Sequence, residues 1–135
     1  MTDNSAVIEN MIAAANRNDF DAQLACFTPD AEYRFDTYSI MASGREAIRP
    51  FLERFLATFP DRQIAIQQII SDADRAAAEY HYIATSPGGI PGWPPAGERF
   101  TSRLCSIYEF RDGLICAARD YVDRRVPSPP GAARA

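Results

Sequence analysis

The second half of the chain is a succession of strand-like runs, and this feature constrains the fold most. Between residues 62 and 122, stretches rich in β-branched and aromatic residues are separated by short turn sequences. Residues 111–113 (Arg-Asp-Gly) have the composition of a tight hairpin turn, so the runs on either side should pair as antiparallel neighbours. The predicted strands are residues 62–70, 75–85, 99–110 and 114–122.

The first sixty residues have mainly helical patterns. Apolar side chains recur at helical spacing in residues 7–15, and a second short helix is predicted from Asp19. Residues 32–36 alternate between polar and apolar side chains, which predicts one short strand among the helices. Helices followed by an antiparallel sheet indicate an α+β domain in which the helices cover one face of the sheet.

A third helix is predicted from the spacing of Ser43 and Glu46, which is that of a capping box. In such a box the Ser43 side chain accepts a hydrogen bond from the Glu46 amide. The helix continues through an apolar stripe to Phe59 and ends before Pro60. We expect one domain over residues 1–123 and a Pro- and Ala-rich tail over residues 124–135.

The composition excludes several kinds of chemistry. All fourteen basic residues are Arg and His81 is the only histidine, so neither a Schiff-base lysine nor a zinc site of ordinary type is available. The net charge of −4 argues against nucleic-acid binding. No apolar run is long enough to span a membrane and the N-terminus does not have a signal-peptide pattern. Three cysteines in apolar patterns indicate free thiols, and a cytoplasmic location is expected.

Several phrases in sequential order resemble the NTF2-like superfamily, in particular its SnoaL-like polyketide cyclase, limonene epoxide hydrolase and ketosteroid isomerase-like branch. The resemblance implies a cone, in which a curved mixed sheet and three helices surround a deep hydrophobic pocket. It also implies a homodimer and catalysis without a metal or cofactor. The matching phrases are residues 16–21, 27–31, 44–48, 92–97 (Gly-Trp-Pro-Pro-Ala-Gly), and 110–115 with 119–123.

The catalytic sets of two of these families are incomplete here. The resemblance implies that ketosteroid isomerases keep their base and oxyanion donors at positions held by Phe35, Met11 and Ser106, and Asp36 is one residue out of register. Limonene epoxide hydrolases keep an Arg and an Asp where this chain has Tyr80 and Tyr82. Of the epoxide hydrolase set, this chain keeps only the residues that match Tyr33 and Asp120. Phe35 stands where those enzymes have the Asn that holds the water.

The SnoaL-like cyclases leave one strong candidate. The resemblance implies that their acid matches Asp120, whereas Ser106 stands where they keep a His and His81 falls near another family His. On an inward strand position Asp120 would be desolvated, its pKa would rise, and it would suit proton transfer near neutral pH. The alternatives are a carboxylate paired with Arg103 or Arg119, or one exposed at the strand end.

The remaining candidates surround Asp120. Tyr33 or Tyr82 would polarise a substrate oxygen, and His81 is either a further catalytic group or, because alternation turns it to the other face, a packing or interface residue. Trp93 lies on a Gly- and Pro-rich loop and is either a lid or an interface anchor. The side chains expected to bind a small hydrophobic, oxygenated substrate are Phe35, Tyr80, Trp93, Leu104, Ser106 and Tyr108.

Three functions follow from this reading of the sequence. The first is a cofactor-independent SnoaL-like enzyme of cyclase, isomerase or hydrolase type, with Asp120 as acid or base. The second is a protein that binds an apolar ligand in the same pocket without converting it, and the third is an assembly role with a collapsed pocket. For the tyrosines, the alternative to a binding role is an ordinary core in which their hydroxyls are satisfied inside.

Overall fold

The computed structural model describes residues 3–35 and 39–123. Asp36 and the predicted tail at 124–135 lie outside the described residues. Helices come before and between the first strands, and the second half is all strand and turn, as predicted. In chain order the elements are α1 Asn4–Asn16, α2 Phe20–Leu24, β1 Phe27–Phe35, β2 Ile40–Ser43, α3 Arg45–Thr58, β3 Gln63–Ser71, β4 Arg75–Thr85, β5 Arg99–Arg111 and β6 Leu114–Val122.

The strands form one curved, unclosed mixed sheet with the order β2-β1-β6-β5-β4-β3. β1 pairs parallel with β6, and every other neighbouring pair in this order is antiparallel. The two chain halves therefore meet in the middle of the sheet, where the first long strand lies beside the last. The α+β prediction is confirmed.

The turn between β5 and β6 sets the register on which the interior depends. Asp112 and Gly113 both have positive φ, 53° and 79°, as a two-residue hairpin turn with the twist of the flanking strands requires. The predicted hairpin is confirmed. The turn pairs Arg111 with Leu114, and a β-bulge just beyond it, where β6 has the extra residue Cys116, then brings Ser106 directly opposite Asp120. Because side chains directly opposite each other point to the same face, both residues face the interior of the curved sheet.

The cap of α3, the short strand β2 and the start of β1 differ from what the sequence predicted. Gly44 is the N-cap and no side chain caps the helix, so the Ser43 capping box does not form. Gly44 has φ of 86°, which glycine adopts without strain, and its amide donates to the Ala31 carbonyl at 2.7 Å. β2 was not predicted, and β1 begins at Phe27 rather than at residue 32.

The hydrophobic core lies between the concave face of the sheet and the helices. α1 contributes Ile8, Met11 and Ile12, and α3 contributes Ile48 and Phe51, all of them buried. The three cysteines are free and half-buried, which confirms the prediction of unpaired thiols. Among the described residues, no helix combines the length and apolar character that a membrane span requires.

Asn16, at the end of α1, fastens this helix to the edge of the sheet. Its side-chain Nδ2 donates to the Ile64 carbonyl at 2.9 Å, and its Oδ1 accepts from the Ile64 amide at 2.8 Å. One amide group thus imitates a neighbouring strand at the open edge of β3. β3 is the last strand in the sheet order, so its outer backbone groups have no strand partner and are available to Asn16. This pair of hydrogen bonds holds the end of α1 at the edge of the sheet.

We expect Asn16→Ala to lower the free energy of unfolding by about 1–2 kcal/mol, since two hydrogen bonds of about 1 kcal/mol each are lost. Asn10→Ala, on the exposed face of the same helix, is the matched control and should change stability by less than about 0.5 kcal/mol. Urea unfolding followed by circular dichroism measures both. Equal stability of the two variants would contradict the role of Asn16.

Candidate functional site

A cavity of about 460 Å³ lies between the concave face of the sheet and the three helices. This volume is within the range of small-molecule sites. Its walls are mainly apolar and aromatic, with a few polar groups at separated positions. The polar and aromatic side chains of the lining, together with Leu104, are Gln23, Tyr33, Phe35, Phe51, Phe55, Phe59, Arg62, Tyr80, Tyr82, Trp93, Ser102, Leu104, Ser106, Tyr108 and Asp120.

Asp120 is the buried carboxylate of this cavity, with only 6% of its surface exposed. Ser106 Oγ donates to its Oδ1 and the Tyr33 hydroxyl donates to its Oδ2. Ser106 lies opposite Asp120 on β5, and Tyr33 lies on β1, where Phe35 is the direct partner of Asp120. The two strands that flank β6, namely β1 and β5, therefore supply one hydrogen-bond donor each to Asp120.

Neither arginine that the sequence offered as a partner reaches Asp120. Arg103 pairs with Asp123 at 3.2 Å, and Arg119 pairs with Glu109 at 3.1 Å. Burial raises the pKa of Asp120 to about 6, and the bonds from Ser106 and Tyr33 limit the rise because they favour the carboxylate. A carboxyl group with this pKa exchanges protons readily near neutral pH.

Two further phenols form a hydrogen-bonded pair next to the carboxylate. The hydroxyls of Tyr80 and Tyr108 are 2.7 Å apart, and both side chains are buried. Burial raises the pKa of each phenol, and the negative charge of Asp120 raises both further. Either hydroxyl can be the donor in this pair.

Tyr82 and Arg62 lie at the other end of the cavity from Asp120. Tyr82 pairs with Ile64 on β3, and Arg62 is two residues before Ile64. Within the described part of the chain, the buried Tyr82 hydroxyl has no hydrogen-bond partner. Burial raises the pKa of Tyr82, and the charge of Arg62 partly opposes that rise, which places the two groups within electrostatic reach.

Sequence reasoning missed Arg62. It follows Pro60 and Asp61 at the start of a predicted strand, a position where arginine is usually exposed. In the structure it is only 5% exposed, and its Nη1 donates to the Ala15 carbonyl at 2.9 Å. That contact spans the fold, and no signal within the local sequence could have indicated it.

The apolar walls come from α3 and from the loop between β4 and β5. Phe55 stacks on Phe35, with ring centroids 5.6 Å apart. Trp93 stacks on Phe59 at 5.8 Å and meets Phe100 edge-on at 4.8 Å. These rings make this part of the cavity wall apolar and suit the face of a flat ligand.

The structure brings together nine of the ten residues proposed from sequence. Asp120 and the proposed ligand-contacting side chains all line the cavity. His81 is the exception, because it lies on the opposite face of β4 from Tyr80 and Tyr82, beside Arg103 on β5. The geometry gives no support to a catalytic His81. In the described ranges, no group of three His, Cys, Asp or Glu side chains is arranged to hold a metal ion.

Solved structures of similar fold come from several bacteria. AclR of Streptomyces galilaeus, named as a candidate hydroxylase, is 26% identical with a TM-score of 0.74, and the match covers 90% of each chain. IdmH of Streptomyces antibioticus, a candidate polyketide cyclase, is 24% identical with a TM-score of 0.75, covering 89% of this chain and 91% of its own.

A candidate SnoaL-like polyketide cyclase from Jannaschia is 17% identical, with a TM-score of 0.77, covering 89% of this chain and 85% of its own. These likenesses show that the fold is the NTF2-like cone. No curated protein is significantly similar in sequence. The model of the SnoaL-like domain matches residues 8–118, and the chain therefore belongs to the SnoaL-like domain family of the NTF2-like superfamily.

Proposed function

We propose that this protein is a cofactor-independent SnoaL-like enzyme that performs acid/base chemistry, of cyclase, isomerase or hydrolase type, on a small hydrophobic, oxygenated substrate. One observation carries the proposal. A carboxylate with a raised pKa lies buried in a ligand-sized, aromatic-walled cavity, and its bonds come from neutral donors rather than from an arginine. Strongly perturbed groups of this kind are typical of active sites.

Asp120 acts as the base in this proposal. Its ionised form removes a proton from a carbon next to a substrate carbonyl, and the electron pair of the broken C–H bond moves to the carbonyl oxygen to form an enolate. Tyr33 donates its only hydroxyl proton to Asp120 while the carboxylate is charged. Once Asp120 is protonated it attracts that donor less, and Tyr33 becomes free to stabilise the enolate oxygen.

Tyr80 is the second candidate donor to the substrate oxygen. Either hydroxyl of the Tyr80–Tyr108 pair can donate, and in this proposal Tyr108 donates to Tyr80, which leaves the Tyr80 proton for the substrate oxygen. A phenol whose proton is available in an apolar cavity stabilises developing negative charge better than one in water. Tyr33, Asp120 and Tyr80 together would then hold the reacting carbonyl and its neighbouring carbon.

The family assignment supports a SnoaL-like enzyme. AclR, named as a candidate hydroxylase, is similar over 90% of each chain. The alternative is a protein that binds an apolar ligand without conversion, which the incomplete isomerase and epoxide hydrolase sets favour. A collapsed pocket, expected for a purely structural role, is inconsistent with the cavity of about 460 Å³.

The base assignment is tested with 2-tetralone, a small hydrophobic ketone with acidic protons beside its carbonyl, in D₂O. We expect the wild-type protein to accelerate deuterium exchange at those carbons, with a rate that rises through about pH 6 as Asp120 ionises. Asp120→Asn should lower the protein-dependent rate at pH 7.5 by about 100-fold or more. Proton NMR follows both exchange and binding.

Glu9→Gln is the matched control, because Glu9 is an exposed carboxylate on α1 that does not line the cavity and lies away from the outer face of the sheet. It should exchange at the wild-type rate. Wild-type exchange by Asp120→Asn would refute Asp120 as the base. Binding of 2-tetralone without any acceleration by the wild-type protein would favour the binding-protein alternative.

The raised pKa of Asp120 also predicts how stability depends on pH. The folded protein binds this proton more tightly than the unfolded chain, whose Asp has a pKa near 3.8. The stabilising contribution is therefore complete below about pH 4 and is lost as the pH rises through about 6. At pH 8 the buried charge costs about 3 kcal/mol.

Asp120→Asn removes that cost. Its amide oxygen can accept from one of the two hydroxyls, Ser106 or Tyr33, and its NH₂ group can donate to the oxygen of the other. Thermal unfolding should therefore show a higher Tm for Asp120→Asn than for the wild-type protein at pH 8, and a much smaller difference at pH 4. Glu9→Gln should not show this pattern. If the Tm of Asp120→Asn exceeded that of the wild-type protein by more at pH 4 than at pH 8, the prediction would be contradicted, because the ionised carboxylate would then stabilise the fold.

We propose in addition that the chain forms a homodimer through the outer face of β5 and β6. Tyr121 is 43% exposed there, opposite Cys105, and half-buried Ile107 lies on the same face. Paired copies would cover this apolar surface, and His81 faces the same side from β4. His81 is then a packing or interface residue rather than a catalytic one.

We expect a dimer in sedimentation equilibrium for the wild-type protein, and a monomer for Tyr121→Arg because two added charges would meet across the interface. Asn10→Arg, exposed on α1, adds the same charge on another surface and should remain dimeric. A monomeric wild-type protein, or a dimeric Tyr121→Arg, would contradict this interface.

A further inference from the structure

We propose that the cavity has a second polar subsite, in which Arg62 binds an anionic oxygen of the ligand, such as a carboxylate or an ionised enol. The inference rests on the proposed function, since it takes the cavity to be the substrate site. It narrows the substrate to an elongated molecule with a carbonyl at one end and an acidic oxygen at the other.

Arg62 is a buried cation that lines the cavity. Nη1 makes both of its hydrogen bonds, to the Ala15 carbonyl at 2.9 Å and to Asn18 Oδ1 at 3.4 Å. The N–H groups on Nε and Nη2 have no acceptor among residues 3–35 and 39–123. Guanidinium groups present a planar fork that matches a carboxylate, so a ligand oxygen would complete the set.

No protein carboxylate neutralises Arg62 within the described ranges, where none of the ion pairs includes it. Its neighbour Asp61 points to the surface, where it accepts from the Thr85 amide at 3.0 Å and pairs with Arg99 at 2.8 Å. The Ala15 carbonyl, in the last turn of α1, offers only a partial negative charge. A buried charge with so little compensation favours a ligand of opposite sign.

The sheet sets the distance between this subsite and Asp120. Asp120 lies opposite Ser106, whereas Tyr82, beside Arg62, lies opposite Ser102 on the same strand. Four residues of β5 separate the two levels, which is about 13 Å of extended chain. A compact ligand does not reach both ends, whereas a flat molecule of several rings does. The Phe51 and Phe55 rings of α3 line the cavity and offer an apolar surface to such a molecule.

The test uses two ligands of nearly equal shape, anthraquinone-2-carboxylate and the neutral anthraquinone-2-carboxamide, measured at pH 7.5 by isothermal titration calorimetry. We expect the wild-type protein to bind the carboxylate about tenfold or more tightly, because hydrogen bonds to a charged group exceed those to a neutral one. Arg62→Gln should abolish this preference while binding of the carboxamide changes by no more than about twofold.

Arg54→Gln is the discriminating arm, since Arg54 is a second arginine along the cavity wall but is exposed to solvent. It should retain the preference, and loss of the preference in Arg54→Gln alone would overturn the assignment to Arg62. Equal affinities of the wild-type protein for both ligands, or binding of neither, would also overturn it. If Arg62→Gln does not fold, the subsite is still tested by the preference of the wild-type protein for the carboxylate and by its retention in Arg54→Gln.

This outcome is independent of the exchange assay. A preference for the carboxylate together with unchanged exchange by Asp120→Asn would retain the subsite and refute the catalytic proposal. Loss of exchange in Asp120→Asn, together with equal binding of the carboxylate and the carboxamide by the wild-type protein, would retain the catalytic proposal and refute the subsite.

Discussion

The buried carboxylate of Asp120, held between Ser106 and Tyr33, is the interaction on which the interior depends. Its two donors come from different strands, so β1, β6 and β5 must keep one register for both bonds to form. A slip of one residue on β6 would turn Asp120 to the outer face. The tight turn at Asp112 and Gly113, together with the β-bulge that follows it in β6, fixes one of these pairings, and the parallel pairing of β1 with β6 fixes the other.

The same burial that makes the carboxyl group reactive is unfavourable for the fold once the group is ionised. Neutral donors reduce that cost without abolishing it, because they stabilise the carboxylate less than a bound arginine would. The arginines of the outer face are paired with Asp123 and Glu109 instead. This arrangement leaves the Asp120 pKa raised, whereas an arginine in contact with it would have lowered the pKa and weakened it as a base.

Alternation and turn chemistry were sufficient to predict the long strands, the inward position of Asp120 and the tyrosines around it. They were not sufficient for features that depend on distant contacts. β2 has only four residues and is stabilised by pairing with β1, and α3 begins at Gly44 because the Gly44 backbone bonds to Ala31. Arg62 is buried because α1 ends beside it, a contact across 47 residues. In each case tertiary packing overrode the local pattern.

The cavity therefore has opposite charges at its two ends, with Asp120 on one side and Arg62 on the other. Aromatic rings between them keep the effective dielectric low, so each charge acts strongly on a ligand in the cavity. An elongated ligand with one acidic end is attracted by Arg62 and repelled by ionised Asp120, and only one orientation satisfies both. The positions of the two charges would then decide which carbon of the ligand faces the base, before any proton moves.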